Sequence, residues 1–583
     1  MKRLVLLLIS VNIVLTPAFA EKISHSHAQQ IAENFFRMNG KNPVLQLENV
    51  PSMTKSLNEE PLYYVFNNVN GSGGFVVVSG DDSSRQILAY SLTGYFDSTN
   101  MPDNMAFWMK NIEESIRSGR KASHTSSSSG SSVYEKVLQT ATWSQLEPYN
   151  NMCPIVRGSR SVTGCVATAT AIVLRYHKWP DAGAGILPDY NNVLGDNGNI
   201  QPGHALGHSY DWEHMPLNLT RNSSEQEIKA VSQLLFDLGV MNETQYGPSG
   251  SASFFYPSGL VRYMKYDPYM VCLSRGELGD RKYSDSKWFS IIEQEIDANR
   301  PIIYGGIVDG VGGHEFVVDG YNSDGYIHIN WGWGPDNLGF YALDNMTFNQ
   351  GQEMYIGIKP YRDIIPEGLT ICCDRFDCYN SVFFGEPCRQ FQISVHEKFF
   401  RQGFDCTVAL WRVRKNGELK QQMAYFDFSG SRPYLSYGTV YGFENDLFGE
   451  YAMLLYHMAG ESQWKPLEFV GSYNVIEKIP LFDKKELEKR TSVKYNKQTG
   501  NIEVFSDEYA AFDLLDDSGR TISNLLKTEK GKAIVSIDKF PSFCCTIRVS
   551  LNGQSIDLLI KGGGEAVDQN GTENIRKGES IEW

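Results

Sequence analysis

A serine-rich stretch divides this chain into parts that fold separately. Residues 121–132 read KASHTSSSSGSS and carry almost nothing to bury. A run of this composition cannot offset the entropy of ordering its backbone, so it is typical of a flexible linker. Exposed segments of this kind are also where proteases cut first. The 583-residue chain is therefore expected to hold one body before the linker and at least one larger body after it.

The composition is that of a globular protein and argues against two kinds of partner. Hydrophobic residues make up 42% of the chain and charged residues 21%, which supplies enough apolar material for real cores. The net charge is −15. Nucleic acids and anionic membrane surfaces attract basic proteins, so we expect no nucleic-acid partner.

The first twenty residues have the pattern of an export signal. Lys2 and Arg3 precede an apolar run, and the segment ends on the small-x-small triplet Ala18-Phe19-Ala20. A membrane anchor is the alternative, but the uncharged run 4–20 is at the lower edge of a bilayer span. We expect cleavage after Ala20 and a mature chain without a membrane span, in the periplasm, on the cell surface or outside the cell.

The spacing of apolar residues assigns a fold class to each part. Residues 24–38 have helical spacing behind a serine, and residues 62–66 and 75–79 read as strands joined by a glycine-rich turn. The later chain first mixes helix and strand patterns and then shows only short β-type runs. The expected organisation is α+β, with a signal peptide 1–20, a small α+β module 21–120, a linker 121–134, a mixed α+β domain 135–360, and a β-rich region 361–583 of one or two β-sandwich modules, two being favoured.

A cysteine at the start of a helical pattern is the sharpest local feature. Cys165 follows Thr163-Gly164 and precedes the small and apolar run VATATAI. At a helix N-terminus the backbone N–H groups stabilise a thiolate, lower its pKa and can receive an oxyanion. The alternative is a small buried hydrophobic residue, which is what most free cysteines are.

A second cluster supplies the base that such a thiolate needs. His314 follows Gly312-Gly313 and opens a strand pattern, and the turn at 322–325 sends the chain back through a paired strand that ends at Asn330-Trp331. A hairpin of this kind returns those two residues beside the histidine. A nucleophilic thiolate requires a general base, and the base requires a group that fixes its ring.

The motifs T-G-C-V-A-T-A, G-G-H-x-F-V-V-D-G and H-I-N-W-G-W-G, in this order, resemble those of the streptopain family of papain-like secreted bacterial cysteine proteases. The resemblance covers about 140–360, and the region 24–120 resembles the inhibitory prodomain of such enzymes. It implies a papain-like domain behind a prodomain. The roles implied are Cys165 as nucleophile, His314 as general base and acid, Gln145 in the oxyanion hole, Asn330 and Trp331 as groups that orient or shield His314, and Gly313, Ser251 and Trp333 at the substrate site.

The function expected from these motifs is that of a secreted cysteine endopeptidase made as a zymogen. It would act on protein or peptide substrates after losing its prodomain, which would serve as an intramolecular inhibitor. No metal and no organic cofactor are implied. The alternatives are a catalytically idle papain-like scaffold that binds through its C-terminal β modules, and an acyltransferase that uses the same thioester.

Three further features carry weaker expectations. The loop GHALGHSYDWEH, with His204, His208 and His214, could hold a metal but completes no ligand set. Asp319 is expected to begin a turn. The ten cysteines, seven of them beyond residue 361, lack paired C-x-x-C spacing, so we expect structural disulfides or buried thiols.

Overall fold

The computed structural model describes most of the chain up to residue 470 and shorter segments beyond it. The described residues are 22–50, 61–82, 84–99, 101, 103–117, 134–195, 199–276, 283, 285–308, 312–342, 350–383, 386–401, 403–414, 417–430, 434–441, 451–470, 479–480, 491–496, 501–506, 510–515, 526–529, 531–536, 545–551, 554–561 and 581–582. The expected signal peptide and nearly all of the serine-rich linker lie outside them. None of the described helices is both long enough and apolar enough to cross a bilayer.

Among the described residues, helices and strands are mixed up to residue 360, and the elements beyond it are strands. The described helices are α1 His25–Met38, α2 Asp103–Arg117, α3 Cys165–His177, α4 Glu225–Met241, α5 Pro257–Met264 and α6 Asp285–Asp297, with a short 3-10 turn at Trp212–His214. The strands up to residue 360 are β1 Leu45–Leu47, β2 Tyr63–Asn68, β3 Phe75–Ser79, β4 Ile87–Ser91, β5 Glu135–Val137, β6 Ile155–Val156, β7 Ser159–Arg160, β8 Tyr190–Asn191, β9 Ile200–Gln201, β10 Val271–Gly276, β11 Ile302–Val308, β12 Gly312–Asn322, β13 Tyr326–Asn330, β14 Gly339–Ala342 and β15 Gln350–Ile356.

In the described segments beyond residue 370, seventeen further strands follow. They are β16 Ile371–Phe383, β17 Glu386–Glu397, β18 Phe404–Val413, β19 Leu419–Gly430, β20 Tyr434–Tyr441, β21 Tyr451–Met458, β22 Lys465–Pro466, β23 Glu468–Phe469, β24 Ile479–Pro480, β25 Ser492–Asn496, β26 Asn501–Phe505, β27 Ala511–Leu515, β28 Leu526–Glu529, β29 Lys532–Ser536, β30 Cys545–Leu551, β31 Gln554–Lys561 and β32 Ile581–Glu582.

The N-terminal residues form one compact unit, together with 324–326 and the chain around β14. Strands β1, β2, β3 and β4 make an antiparallel sheet, and β14 adds to the free edge of β4 with Phe340 opposite Tyr90. This is the small α+β module expected from the sequence. Strand β14 was not expected in this module, because it falls within the range 135–360 that the sequence pattern assigned to the later domain.

Helices cover this sheet through their apolar faces. Helix α1 begins after Ser24, whose hydroxyl accepts a hydrogen bond from the His27 N–H at 3.3 Å. Its buried face joins the aromatic and β-branched residues of the strands in one core. In α2 the Trp108 ring meets Tyr341 of β14 edge-on, with ring centroids 4.7 Å apart. The serine cap and the helical spacing read from the sequence are both confirmed.

The second unit contains a five-stranded antiparallel sheet in the order β13-β12-β11-β15-β10, with β5 also on β12. Helix α3 packs on this sheet and against α4. Every residue of α3 from Val166 to Leu174 is buried. A helix that is apolar on all sides belongs in the centre of a domain, so α3 fixes its first residue, Cys165, against the sheet.

Beyond residue 370 the second unit consists of two pairs of β sheets. Sheets β20-β17-β16-β23 and β19-β18-β21-β22 share an apolar core that includes Ile393, Val408 and Leu454. Sheets β25-β26-β29-β28 and β27-β30-β31-β32 share another, which includes Val504 and Ile547. Two sheets around one core are the arrangement of a β-sandwich, so the expected β-sandwich modules are present.

The turn after β17 packs into the core around α3 and α4. Phe399 is 5% exposed and belongs to the same apolar cluster as α3 and α4. Its ring lies 5.2 Å from that of Tyr361, and the neighbouring Lys398 ammonium donates a hydrogen bond to the Tyr269 hydroxyl at 2.6 Å. The first β-sandwich therefore contributes an aromatic side chain to the core on which α3 rests.

The described cysteines support the expectation of buried thiols in part. Cys153, Cys165, Cys272 and Cys406 are free thiols. Burial raises the pKa of both Cys153 and Cys406 to about 12, which leaves these two thiols neutral and unreactive at physiological pH.

Candidate active site

Cys165 is the first residue of α3, as its motif predicts. Gly164 precedes it with φ 87°, a conformation that residues with a side chain rarely adopt. A Cβ on Gly164 would also lie 3.4 Å from the Cβ of Ser251. The glycine thus lets the chain turn sharply into the helix beside the loop that carries Ser251, and it leaves the thiol half-buried at the helix N-terminus.

The pKa of the Cys165 thiol is raised in the structure, whereas the position at a helix N-terminus predicted a lowered pKa. Burial raises it to about 11, and the negative charge of Glu315 raises it as well. Backbone N–H groups of Glu315, Val166 and Cys165 act in the opposite direction and favour the thiolate. In this state burial outweighs the helix N-terminus, so the Cys165 thiol is neutral at physiological pH.

The backbone of the histidine motif lies near the Cys165 thiol. His314 lies in β12 opposite Gly306 of β11 and is half-buried. The next residue, Glu315, lies close enough to Cys165 for its backbone N–H to favour the thiolate. The structure therefore brings the cysteine and histidine motifs together, although they are far apart in the sequence. Gly313, the residue before His314, is exposed and leaves the approach to the histidine open.

Gln145 is tied to the segment that leads into α3. Its backbone carbonyl accepts a hydrogen bond at 3.2 Å from the N–H of Thr163, which stands two residues before Cys165. The residue is 4% exposed. A buried side-chain amide beside a helix N-terminus is the kind of donor that an oxyanion hole uses. The oxyanion role of Gln145 stays a prediction.

The side chain of Asn330 links the tryptophan-rich turn to the segment at residues 140–141. Its amide donates hydrogen bonds to Thr140 Oγ1 at 3.1 Å and to the Ala141 carbonyl at 2.8 Å, and its Oδ1 accepts from the Gly332 N–H at 3.2 Å. Both amide hydrogens are thus committed to the segment before Gln145. Asn330 fixes the tryptophan-rich turn to that segment, and a direct role in orienting His314 stays a prediction.

Trp331 packs on the strand that carries His314. It is 1% exposed, and its ring centroid lies 5.0 Å from that of Phe316. Phe316 is two residues after His314 and therefore on the same face of β12. Gly332 comes next with φ 75°, and a Cβ there would lie 3.2 Å from Thr168 Cγ2 in α3. The glycine allows the turn to rest directly on the helix of the nucleophile.

Trp333 and Ser251 complete the set of expected site residues. Trp333 is half-buried, and its indole N–H has no hydrogen-bond partner among the residues that the structure describes. Ser251 Oγ donates to the Val162 carbonyl at 2.8 Å and accepts from the Gly247 N–H at 3.0 Å. Ser251 therefore lies beside the segment that leads to Cys165, where it holds its own loop, and its contact with substrate stays a prediction.

Comparisons with known proteins match the region of the candidate site and the N-terminal region to two protein families. A model of the peptidase C10 family matches residues 143–341, and a model of the Spi protease inhibitor matches residues 20–116. Streptopain of Streptococcus pyogenes serotype M1 is 33% identical over 333 residues, which cover 51% of this chain and 80% of streptopain.

The chain belongs to the peptidase C10 family. The thiol protease/hemagglutinin PrtT of Porphyromonas gingivalis is 31% identical over 389 residues, 60% of this chain, and the match spans 43% of the length of PrtT. The structure of a fragment of Prevotella intermedia prointerpain A is 32% identical, covers 54% of this chain and all of that fragment, and has a TM-score of 0.44. The resemblance read from the three motifs is confirmed, including the inhibitor-like domain.

In this C10 family chain a buried aspartate joins the strands of the candidate site, which the sequence pattern did not predict. Asp319 lies inside β12 rather than at a turn, and is 2% exposed. It accepts hydrogen bonds from Thr140 Oγ1 and bonds His328 Nδ1, each at 2.5 Å. Because Thr140 also binds Asn330, this network joins three segments of the site. Only the burial of β12 reveals it, since a polar residue before glycine usually signals a turn.

The histidine-rich loop is held by a carboxylate of the C10 domain. His204 and His208 bond the two oxygens of Asp237 at 2.8 and 2.9 Å, and the Tyr210 hydroxyl donates to the second oxygen at 2.9 Å. Asp237 is fully buried in α4. Within the described part of the chain, no group of His, Cys, Asp and Glu residues is arranged to hold a metal ion. These two histidines anchor the loop to α4.

Proposed function

We propose that this chain is a cysteine endopeptidase produced as a zymogen. The observation that carries the proposal is the position of Cys165 at the N-terminus of α3, with the backbone N–H of Glu315, the residue after His314, at its sulfur. Membership of the C10 family supports the same reading. The substrates would be proteins or peptides, and the chemistry would need no cofactor.

The proposed reaction proceeds through a thioester. His314 takes the Cys165 proton, and the thiolate attacks the peptide carbonyl while the Cys165 N–H and the Gln145 amide stabilise the oxyanion. The C–N bond then breaks, and His314 protonates the leaving amine. A water molecule, deprotonated by His314, attacks the thioester and releases the acid and the thiol. In this scheme Trp331 and Trp333 keep bulk water away from the histidine.

The N-terminal unit is proposed to hold the enzyme inactive through the chain that follows the tryptophan-rich turn. Asn337, four residues after Trp333, donates its N–H to the Tyr95 carbonyl at 3.1 Å and accepts from the Asp97 N–H at 2.9 Å. Strand β14 then pairs with β4. Removal of residues 21–120 by cleavage in 121–134 would release this segment, and the change would bring His314 and Cys165 into a thiolate–imidazolium pair.

The proposal includes the domain organisation of the protein and its cellular localisation. Residues 135–360 would be the catalytic domain and 361–583 the β-sandwich region. The pattern at 1–20 supports export to the periplasm, the cell surface or the exterior.

The decisive experiment follows residues 21–583 of the wild type and of Cys165→Ala under reducing conditions. The wild type is expected to shorten near 121–134 and to gain casein hydrolysis, while Cys165→Ala stays full length and inactive. Addition of an amine acceptor distinguishes hydrolysis from acyl transfer by the products. If the wild type stays inactive even after an added protease cuts the linker, and a thiol-directed inhibitor does not label Cys165, the chain is an idle scaffold.

A further inference from the structure

A glycine in the central sheet separates two glutamates close to the nucleophile. In the antiparallel register Gly305 of β11 lies opposite Glu315 of β12 on one side and opposite Glu353 of β15 on the other. Side chains of directly opposed residues lie on the same face of a sheet. A Cβ on Gly305 would lie 2.6 Å from the carboxyl carbon of Glu315. The Glu315 carboxyl group therefore extends over the glycine, toward Glu353.

The two carboxyl groups lack a neutralising cation among the described residues. Glu315 Oε2 is shielded from solvent and has no hydrogen-bond partner there. Glu353 accepts a hydrogen bond from the Tyr355 hydroxyl at 3.0 Å, and its other oxygen lies 3.8 Å from the Cys272 sulfur. Burial and repulsion from Glu353 raise the pKa of Glu315 well above its usual range. A buried carboxyl oxygen without a hydrogen-bond partner, beside a second carboxyl group, is costly, which indicates that another group completes the site at Glu315 Oε2.

This row of residues is next to the reacting sulfur. The backbone N–H of Glu315 points at Cys165, and the negative charge of Glu315 acts on the thiol. Ile303 and Val317 lie two residues from Gly305 and Glu315 on the same face, and they belong to the core around α3. The carboxyl groups therefore lie on the side of the sheet where a peptide bound at Cys165 would be cut.

We propose that Glu315 and Glu353 form an acidic recess over Gly305 that binds a lysine or arginine side chain of the substrate beside the scissile bond. The charged head of such a side chain would supply the partner that Glu315 Oε2 lacks. A metal ion is a poorer occupant, because no suitable group of ligands exists among the described residues. The inference rests on the proposed peptidase function and names its substrate class.

The first test uses the wild type after its N-terminal unit has been removed. Internally quenched peptides carry arginine, citrulline or norleucine at each of the three positions on either side of one scissile bond. Citrulline has the shape of arginine without the charge. At one position, kcat/KM is expected to be about tenfold to hundredfold higher for arginine than for citrulline, because hydrogen bonds between charged groups are the strong ones.

The second test asks whether Glu315 and Glu353 cause the preference for arginine. Glu315→Gln and Glu353→Gln keep the side-chain shape and remove the charge, and Glu225→Gln, at an exposed position in α4, is the matched control. The two recess variants are expected to lose most of the arginine preference, measured within each variant as the ratio of kcat/KM for the arginine and citrulline peptides, and the control is expected to keep the preference.

The outcomes separate the two proposals. If wild type cleaves casein and the norleucine peptides but discriminates no better than about twofold between arginine and citrulline at every position, the recess is wrong and the peptidase stands. A preference that survives in the double variant Glu315→Gln/Glu353→Gln also overturns it. If no peptide and no casein is cleaved, while Cys165 does not react with a thiol-directed inhibitor, the proposed function itself fails.

Discussion

The backbone carbonyl of Gln145 accepts a hydrogen bond from the N–H of Thr163, which stands two residues before Cys165, at 3.2 Å, so Gln145 is fixed to the segment that leads into α3. This arrangement lets the role of its side chain be tested apart from the reactivity of the thiol. The backbone bond survives any change of side chain, and the loop is expected to keep its place.

Gln145→Ala is therefore expected to lower kcat for peptide hydrolysis by about 10²- to 10³-fold, as loss of one oxyanion donor does. Alkylation of Cys165 by iodoacetamide forms no oxyanion, so its rate should change by less than about twofold. Ser144→Ala is the neighbouring control. Full hydrolytic activity in Gln145→Ala would remove this residue from the oxyanion hole.

The raised pKa of Cys165 predicts how the unprocessed protein reacts with alkylating agents. Only the thiolate reacts, and a pKa of about 11 leaves little thiolate at pH 7. The rate of Cys165 labelling should therefore rise about tenfold per pH unit between pH 7 and 10, measured by mass spectrometry before the chain shortens. In the processed enzyme an ion pair with His314 should make labelling fast at neutral pH. A pH-independent rate before processing would contradict the raised pKa.

Loss of the Asn330 side chain should destabilise the tryptophan-rich turn. Asn330→Ala removes two donated bonds and one accepted bond, and it leaves buried partners such as Gly332 N–H unsatisfied. The expected loss in the free energy of unfolding is about 2 kcal/mol or more. Urea unfolding in the Cys165→Ala background, followed by tryptophan fluorescence, avoids self-cleavage. The exposed Asn222→Ala should stay within about 0.5 kcal/mol, and an equal effect of both would refute the assignment.

Phe399 provides a test of the link between the first β-sandwich and the papain-like core. Phe399→Ala is expected to lower the free energy of unfolding by about 3 to 5 kcal/mol, as removal of a buried phenylalanine does. Tyr425→Ala, at a position 64% exposed in the same β-sandwich, should have little effect. Urea unfolding of the Cys165→Ala protein measures both. If Phe399→Ala is as stable as its parent, the β-sandwich does not support the catalytic part.

Local motifs were enough to propose the residues of the candidate site. Cys165, His314 and Trp331 each stand in a short segment whose residue types follow from local geometry, such as a glycine that turns the chain into α3. Helix α1 and its serine cap were predicted for the same reason, since a cap and an amphipathic pattern depend only on neighbouring residues. The three motifs, in this order, also indicated the family.

Other features depend on which distant segments become neighbours. The burial that raises the pKa of Cys165, the network around Asp319, and the row formed by Glu315, Gly305 and Glu353 arise from strand register and packing between segments far apart in the sequence. No local pattern specifies that register. The sequence by itself determined the chemistry-bearing residues and the order of the parts. Only the tertiary structure decided which charges face one another and how far each is removed from water, because both depend on contacts that form when the sheet and α3 come together.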